Sequence, residues 1–461
     1  MNTRRTLQPL AIALAFLGIQ VSALADDRSE KFELGFSACN TTVLADEEAK
    51  LRSDQRRLES LATPLESKLR TYNGATSVRA KSVEIELRAL QVNLLRVLER
   101  LECLRLGALG DPIVRGPNLA PIYFVEARIN YVTDRLKEPD VANAGTPDPN
   151  HYFSGALDEN FKDFSFGKVT VTIPTKRSPG ELNLPDAWKL VSEVDPSRYF
   201  VLRSVDEGSR EALFKELNEA GVNNDSTLLL FVHGFNVTFS DAALRTAQLA
   251  HDLQFRGKVL LYSWPSAGKV TEYWKDEDSS RISTPRFGKL LAELLSTTTK
   301  RIFVVAHSMG TRIVIPAIPT LVSRGIDVSK VSELMLAAAD FNAIEFKELA
   351  VDFAKLRTGR PHVTIYAASN DFALQASRRI HSYRRLGESD PSLTTYRGLD
   401  SVDASAAAPV RRAYGHSYVS DSALVLGDMQ DLILKGLTPL NRGLIPVANT
   451  GNSGWKISVT P

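Results

Sequence analysis

From about residue 208 onward, apolar positions follow two alternating patterns. Short continuous apolar runs, such as LLLFV at 228–232 and IFVVA at 302–306, are separated by longer stretches of helical period. The runs predict strands over 227–232, 258–263, 301–306, 332–339, 362–368 and 398–404. The stretches between them predict helices over 209–220, 240–255, 285–298, 309–324, 343–355, 371–384 and 420–434. Runs without polar alternation are expected to be buried on both faces, as in a mostly parallel sheet with helices on each side. Upstream, 111–160 is rich in Pro, Asn, Asp and Gly, with a loop at 146–150 and one strand candidate at 121–125. Two further strands are expected at 168–173, ending at Pro174, and at 200–203. The chain has no internal repeat.

A different pattern occupies 44–106. Val83, Leu87, Leu90, Leu94, Val97, Leu101 and Leu104 form an unbroken a/d seam, and Leu44, Leu51, Leu58, Leu65 and Tyr72 recur every seven residues. Asn73-Gly74-Ala75-Thr76 between them is a helix stop and turn. The expectation is a coiled-coil-like helical hairpin that serves as a structural or homo-oligomerising appendage. Antiparallel helices would bring Cys39 towards Cys103, and a disulfide is expected there in an oxidising compartment.

Such a compartment is indicated by the first 25 residues. Arg4-Arg5 precede an apolar stretch from Leu10 to Ala25 that ends in Ala23-Leu24-Ala25 and is followed by Asp26-Asp27. This reads as a signal peptide cleaved after Ala25, giving a secreted or periplasmic protein with no stable transmembrane anchor. The expected division is therefore 1–25 signal peptide and 26–110 hairpin. A strand region and linker over 111–222 and an α/β core with C-terminal tail over 223–461 follow. Lys and Arg total 56 against 54 Asp and Glu, a balance that gives no reason to expect nucleic acid as a partner.

Candidate chemistry converges on one turn. In Ala306-His307-Ser308-Met309-Gly310 a strand runs into a tight bend and then a helix, the small-x-Ser-x-Gly pattern of a nucleophile elbow. Small flanking residues are required because the serine backbone is strained and side chains there would collide. Acyl transfer also needs oxyanion donors. The N–H of Met309 and that of Phe235, in the His233-Gly234-Phe235 loop after strand 227–232, are the candidates. His233 is expected to shape this loop rather than act as base. His416 lies in YGHSY (414–418), between the last strand and last helix, where a base can reach the turn. His362 opens a strand and His381 sits in an Arg-rich helix, so both are weaker candidates. For the acid, Asp371 after strand 362–368 is preferred to Asp340 after strand 332–339, and either could instead cap a helix. Trp264 and Tyr273 could wall a substrate pocket or be packed aromatics. Ser266 follows a proline and lacks the elbow context. With no P-loop, dinucleotide fingerprint or His/Asp cluster, neither cofactor nor metal is expected.

The segments FVHGFNVTF (231–239), LLYSWPSAG (260–268), VVAHSMGTR (304–312), SNDFAL (369–374) and GHSY (415–418) resemble the α/β-hydrolase superfamily. They resemble more narrowly a bacterial group of lipase/esterase-like serine hydrolases of unknown function. The resemblance covers about 120–435, includes IPTKRSPGEL (173–182) and leaves the hairpin outside. Ala306 departs from the commoner glycine by one methyl. The resemblance implies the α/β-hydrolase fold and hydrolysis of a small-molecule or lipid carboxylic ester. It implies Ser308 as nucleophile, His416 as base and Asp371 as orienting acid. An acyltransferase acting on an envelope lipid or glycan, and a non-catalytic envelope protein using the hairpin, are the alternatives.

Overall fold

The computed structural model describes residues 124–138, 152–184, 194–219, 226–356, 361–408, 416–448, 450 and 453–458, together with five helical positions between Ser53 and Leu61. The signal segment, the remainder of the hairpin, both cysteines and the loop at 146–150 lie outside the described residues.

From β1 onward the described residues belong to one compact unit. Its strands are β1 (Phe124–Thr133), β2 (Arg135–Lys137), β3 (Phe153–Leu157), β4 (Ser165–Pro174), β5 (Val201–Gly208), β6 (Thr227–Val232) and β7 (Lys258–Ser263). The series continues with β8 (Arg301–His307), β9 (Val331–Ala337), β10 (His362–Ala367), β11 (Asp400–Asp403), β12 (Ile445–Pro446) and β13 (Gly454–Lys456). Eleven of them form one sheet in the order β12-β13-β11-β10-β9-β8-β6-β7-β1-β4-β5, and β2 pairs with β3 separately. From β13 to β1 the neighbours are parallel, whereas β4, β5 and β12 form antiparallel margins. All six residues of β6 are buried, as expected for a central strand covered on both faces. Each fully buried large apolar side chain there contributes roughly 1.5–3 kcal/mol.

The helices are α1 (Arg210–Asn218), α2 (Phe239–Asp252), α3 (Tyr273–Ser296), α4 (Thr311–Ser323), α5 (Ala343–Leu356), α6 (Phe372–His381), α7 (Tyr418–Asp421) and α8 (Ala423–Gln430). Two apolar clusters fill the fold. One joins the sheet to α2 and α8, and the other joins it to α3, α4 and α5, so helices cover both faces.

Three expectations need correction. The helix expected from 285 begins at Tyr273, with Pro285 in its interior. Its first turns are concealed in the sequence because, after Tyr273, the buried positions there are Asp276, Ser279, Ser280 and Ser283. The last helix, expected over 420–434, is divided into α7, α8 and a π-type turn Asp431–Lys435. The residues read as a C-terminal tail contain β12 and β13, and β13 extends the parallel run with Trp455 buried.

At the strand ends opposite the elbow, His362 joins three strands. Its Nδ1–H donates to Glu333 Oε2 at 2.8 Å and its Nε2–H pairs with Asp400 Oδ2 at 3.0 Å. Burial disfavours the imidazolium, but hydrogen bonds to Asp400 and Glu333 outweigh it and push its pKa up to about 10. The stabilisation is complete below the ordinary imidazole value of about 6.5 and is lost as pH rises through 10. Wild-type protein should therefore lose thermal stability between pH 6.5 and 10 by more than His362→Gln, which starts lower. Parallel melting curves across that range would contradict this.

Candidate active site

The elbow is formed where β8 ends. Ser308 has φ 52°, in the left-handed region that costs a non-glycine residue about 1–2 kcal/mol. The bend is held from outside: the Ser308 carbonyl accepts from the Asp340 N–H at 3.2 Å and from Thr311 Oγ1 at 2.6 Å. A single 3₁₀ turn, Ser308–Gly310, leads into α4. Ala306 is fully buried between Val232 of β6 and Leu336 of β9, so its methyl is accommodated.

Two glycines bring the loop after β6 against this turn. A Cβ on Gly234 would lie 2.8 Å from Ser308 Cβ, and a Cβ on Gly310 would lie 2.4 Å from the His233 carbonyl oxygen. Only a bare backbone permits this approach. It places the chain at Phe235 and that at Met309 on adjoining turns, the arrangement two convergent N–H donors need. The Phe235 ring meets Tyr273 edge-on, with centroids 5.0 Å apart.

His416 precedes α7, which is fastened to the sheet by Tyr418 Oη donating to the Tyr366 carbonyl at 2.9 Å. The His416 Nδ1–H donates to Asp371 Oδ2 at 2.8 Å. The other Asp371 oxygen, Oδ1, accepts from the Leu374 N–H at 3.0 Å and caps α6. Capping and imidazole orientation are therefore simultaneous roles of one carboxylate, which is fully buried. Burial works to lower the His416 pKa, but Asp371 outweighs it and the net shift is upward. With Nδ1 carrying the proton, Nε2 is left to accept one. His307, beside the serine, donates from Nε2 to the His416 carbonyl at 3.1 Å. Burial, and then the nearby His416, push the His307 pKa down to about 3, so it stays neutral.

Asp340 is occupied elsewhere. Its carboxylate accepts from Ser377 Oγ at 2.6 Å, Tyr273 Oη at 2.9 Å and Arg312 Nη2 at 2.9 Å. Burial opposes its charge, but Arg312 and Arg385 prevail and hold its pKa at about 2. Arg312 also pairs with Glu277, which accepts from His381 Nε2 at 2.6 Å. His381 and His362 thus each have a carboxylate partner away from Ser308. A groove of about 640 Å³ opens beside this network, lined in part by Arg281, Arg312, Tyr383 and Arg385, and its lining includes neither Ser308 nor His416.

Trp264 does not wall an opening. It is fully buried, stacked on His233 with centroids 5.1 Å apart, and its Nε1–H donates to the His233 carbonyl at 2.8 Å. Tyr273 is also buried, with its hydroxyl tied to Asp340 and Ser377. His233 shapes the loop: its Nδ1–H donates to the Gly234 carbonyl at 2.8 Å, and burial, then Arg135, keep it neutral. Ser266 is buried and donates to Asp276 at 2.6 Å. Arg135, Asp276 and Arg312 were not singled out from sequence, because each acts through residues distant along the chain. Among the described residues no group of His, Cys, Asp and Glu could hold a metal ion, and no helix is long and apolar enough to cross a membrane.

Comparison with known proteins agrees with the fold. Residues 209–434 match the family model described as an alpha/beta hydrolase of unknown function (DUF900). An uncharacterized protein of Nostoc sp. PCC 7120 is 27% identical over 154 residues, covering 28% of this chain and 39% of that relative's length. No solved structure matches.

Proposed function

Because residues 209–434 are an α/β-hydrolase domain, we propose that the protein is a serine hydrolase that cleaves carboxylic esters through an acyl-enzyme on Ser308. The observation that carries this reading is a strained Ser308 at the strand-to-helix turn whose neighbour His307 meets the His416 carbonyl at 3.1 Å, the His416 imidazole having its Nδ1–H held by Asp371 at 2.8 Å. In this reading His416 Nε2 takes the Ser308 proton as Oγ attacks the ester carbonyl. The N–H groups of Phe235 and Met309 stabilise the oxyanion. The imidazolium then protonates the departing alcohol, and the same base activates water to release the acid.

The substrate is a small-molecule or lipid ester, met outside the cytoplasm if the first 25 residues direct export. The test is covalent labelling of the full chain with a fluorophosphonate. A single adduct on the peptide bearing Ser308, together with turnover of a p-nitrophenyl ester, is the expected result. A folded protein that forms no adduct would overturn the reading.

A further inference from the structure

Arg135 is buried, yet no carboxylate lies within ion-pair distance of it among the described residues. Its donors go to neutral partners. Nε donates to Ser263 Oγ at 2.9 Å, and Nη1 to the carbonyls of Ser266 at 2.8 Å and Ser154 at 3.2 Å. Nη2 donates to the Val237 carbonyl at 2.8 Å and approaches His233 Nε2 at 3.3 Å. Since His233 carries its proton on Nδ1, Nε2 is the acceptor in that contact. Five N–H groups in a rigid fork thus fasten the loop after β6 to the end of β7 and the loop that follows it, with a further tie to Ser154 of β3.

On the same two loops, fully buried Asp276 supplies the complementary grip. Its Oδ2 accepts from the Asn236 N–H at 3.2 Å and from Ser266 Oγ at 2.6 Å, and its Oδ1 accepts from the Ala267 N–H at 2.7 Å. The guanidinium holds the carbonyls of residues 237 and 266, and the carboxylate holds the N–H groups of 236 and 267. Ser266 links the two, with its carbonyl on Arg135 and its hydroxyl on Asp276. Between these grips the backbone passes through Asn236 at φ 57°, a left-handed residue immediately after Phe235. Such a conformation persists only when its surroundings over-determine it.

We propose that Arg135 and Asp276 are a positioning pair that sets the direction of the Phe235 N–H and so determines the strength of the oxyanion hole. The inference rests on the serine-hydrolase reading. It also gives the strand region before residue 209 a part in the chemistry, since Arg135 follows β1, outside the segment matched by the family model. Arginine is required at 135 because a lysine ammonium, with three donors at one point, cannot reach partners on four separate segments. Asparagine at 276 would present an amide N–H to at least one of the donors that the aspartate accepts.

The experiment uses the full chain with Arg135→Lys, Arg135→Met and Asp276→Asn, each first shown to unfold cooperatively. A p-nitrophenyl ester gives kcat and KM, and an alkyl boronic acid serves as an analogue of the tetrahedral intermediate. The expected result is a fall in kcat on the order of 10²-fold with KM nearly unchanged, and a loss of boronate affinity by a similar factor. A purely structural role would lower the melting temperature and leave boronate affinity intact, and that outcome overturns the proposal. If the Arg135 variants do not fold, Asp276→Asn and Ser266→Ala supply the same comparison, and unchanged boronate affinity in both overturns it equally. If wild-type protein fails to react with fluorophosphonate, the hydrolase reading falls and this inference falls with it. If wild type reacts and the variants match it in kcat and boronate affinity, only this inference falls.

Discussion

Ser308→Ala will abolish capture by a fluorophosphonate and lower ester turnover by several orders of magnitude, while leaving the thermal transition in place. The hydroxyl is small, and removing it relieves no packing: the bend is held through the backbone carbonyl by the Asp340 N–H and Thr311. His416→Ala should cost about as much, because an unassisted serine hydroxyl is a poor nucleophile at neutral pH. The double variant should be hardly worse than either single one, since nucleophile and base act as a unit. Additive losses in the double variant would mean that His416 works on something other than Ser308.

Asp371→Asn and Asp340→Asn should fail in opposite ways. Asparagine at 371 can still accept from the Leu374 N–H and cap α6, so stability should change little. The imidazole loses the carboxylate that fixes its tautomer, and turnover should fall by a factor on the order of 10⁴. The pH profile reports the same change. Wild-type activity needs neutral His416, so its acid limb should have a midpoint above the ordinary imidazole value of about 6.5, and the residual activity of Asp371→Asn should have a lower one. Asp340→Asn instead leaves Arg312 and Arg385 facing a neutral group, and breaking a buried pair of this kind costs about 3–5 kcal/mol. Its activity per folded molecule should remain within about tenfold of wild type. A stable, inert Asp340→Asn beside an active Asp371→Asn would move the acid one strand earlier.

The legible parts of the fold were those governed by continuous apolar runs. Strands β6 and β7 have the bounds expected, because both faces of each are covered and nearly every side chain is apolar. The start of α3 was hidden by Lys275-Asp276-Glu277-Asp278, which resembles a solvated loop although Asp276 is buried. Pro285 also has the look of a first helical residue, since proline at a helix start is commoner than proline inside one. Strands β3, β12 and β13 are two to five residues long, too short for periodicity to register. The elbow serine and the His416–Asp371 pair were legible because local motif and topology order select them together. Arg135 was not, because its partners at 154, 233, 237, 263 and 266 become neighbours only on folding.

The divided carboxylate of Asp371 also bears on how this scaffold can change over time. One oxygen serves the architecture and the other the imidazole, and asparagine fills the first role nearly as well as aspartate. A single substitution at 371 therefore separates two properties that are usually lost together, persistence of the fold and competence in the chemistry. Descendants that drift to asparagine there would keep the sheet, the elbow and the surface of their ancestor while turning over almost nothing. On the serine-hydrolase reading, aspartate or asparagine at that one position is the expected difference between a working hydrolase and an inert protein of the same shape.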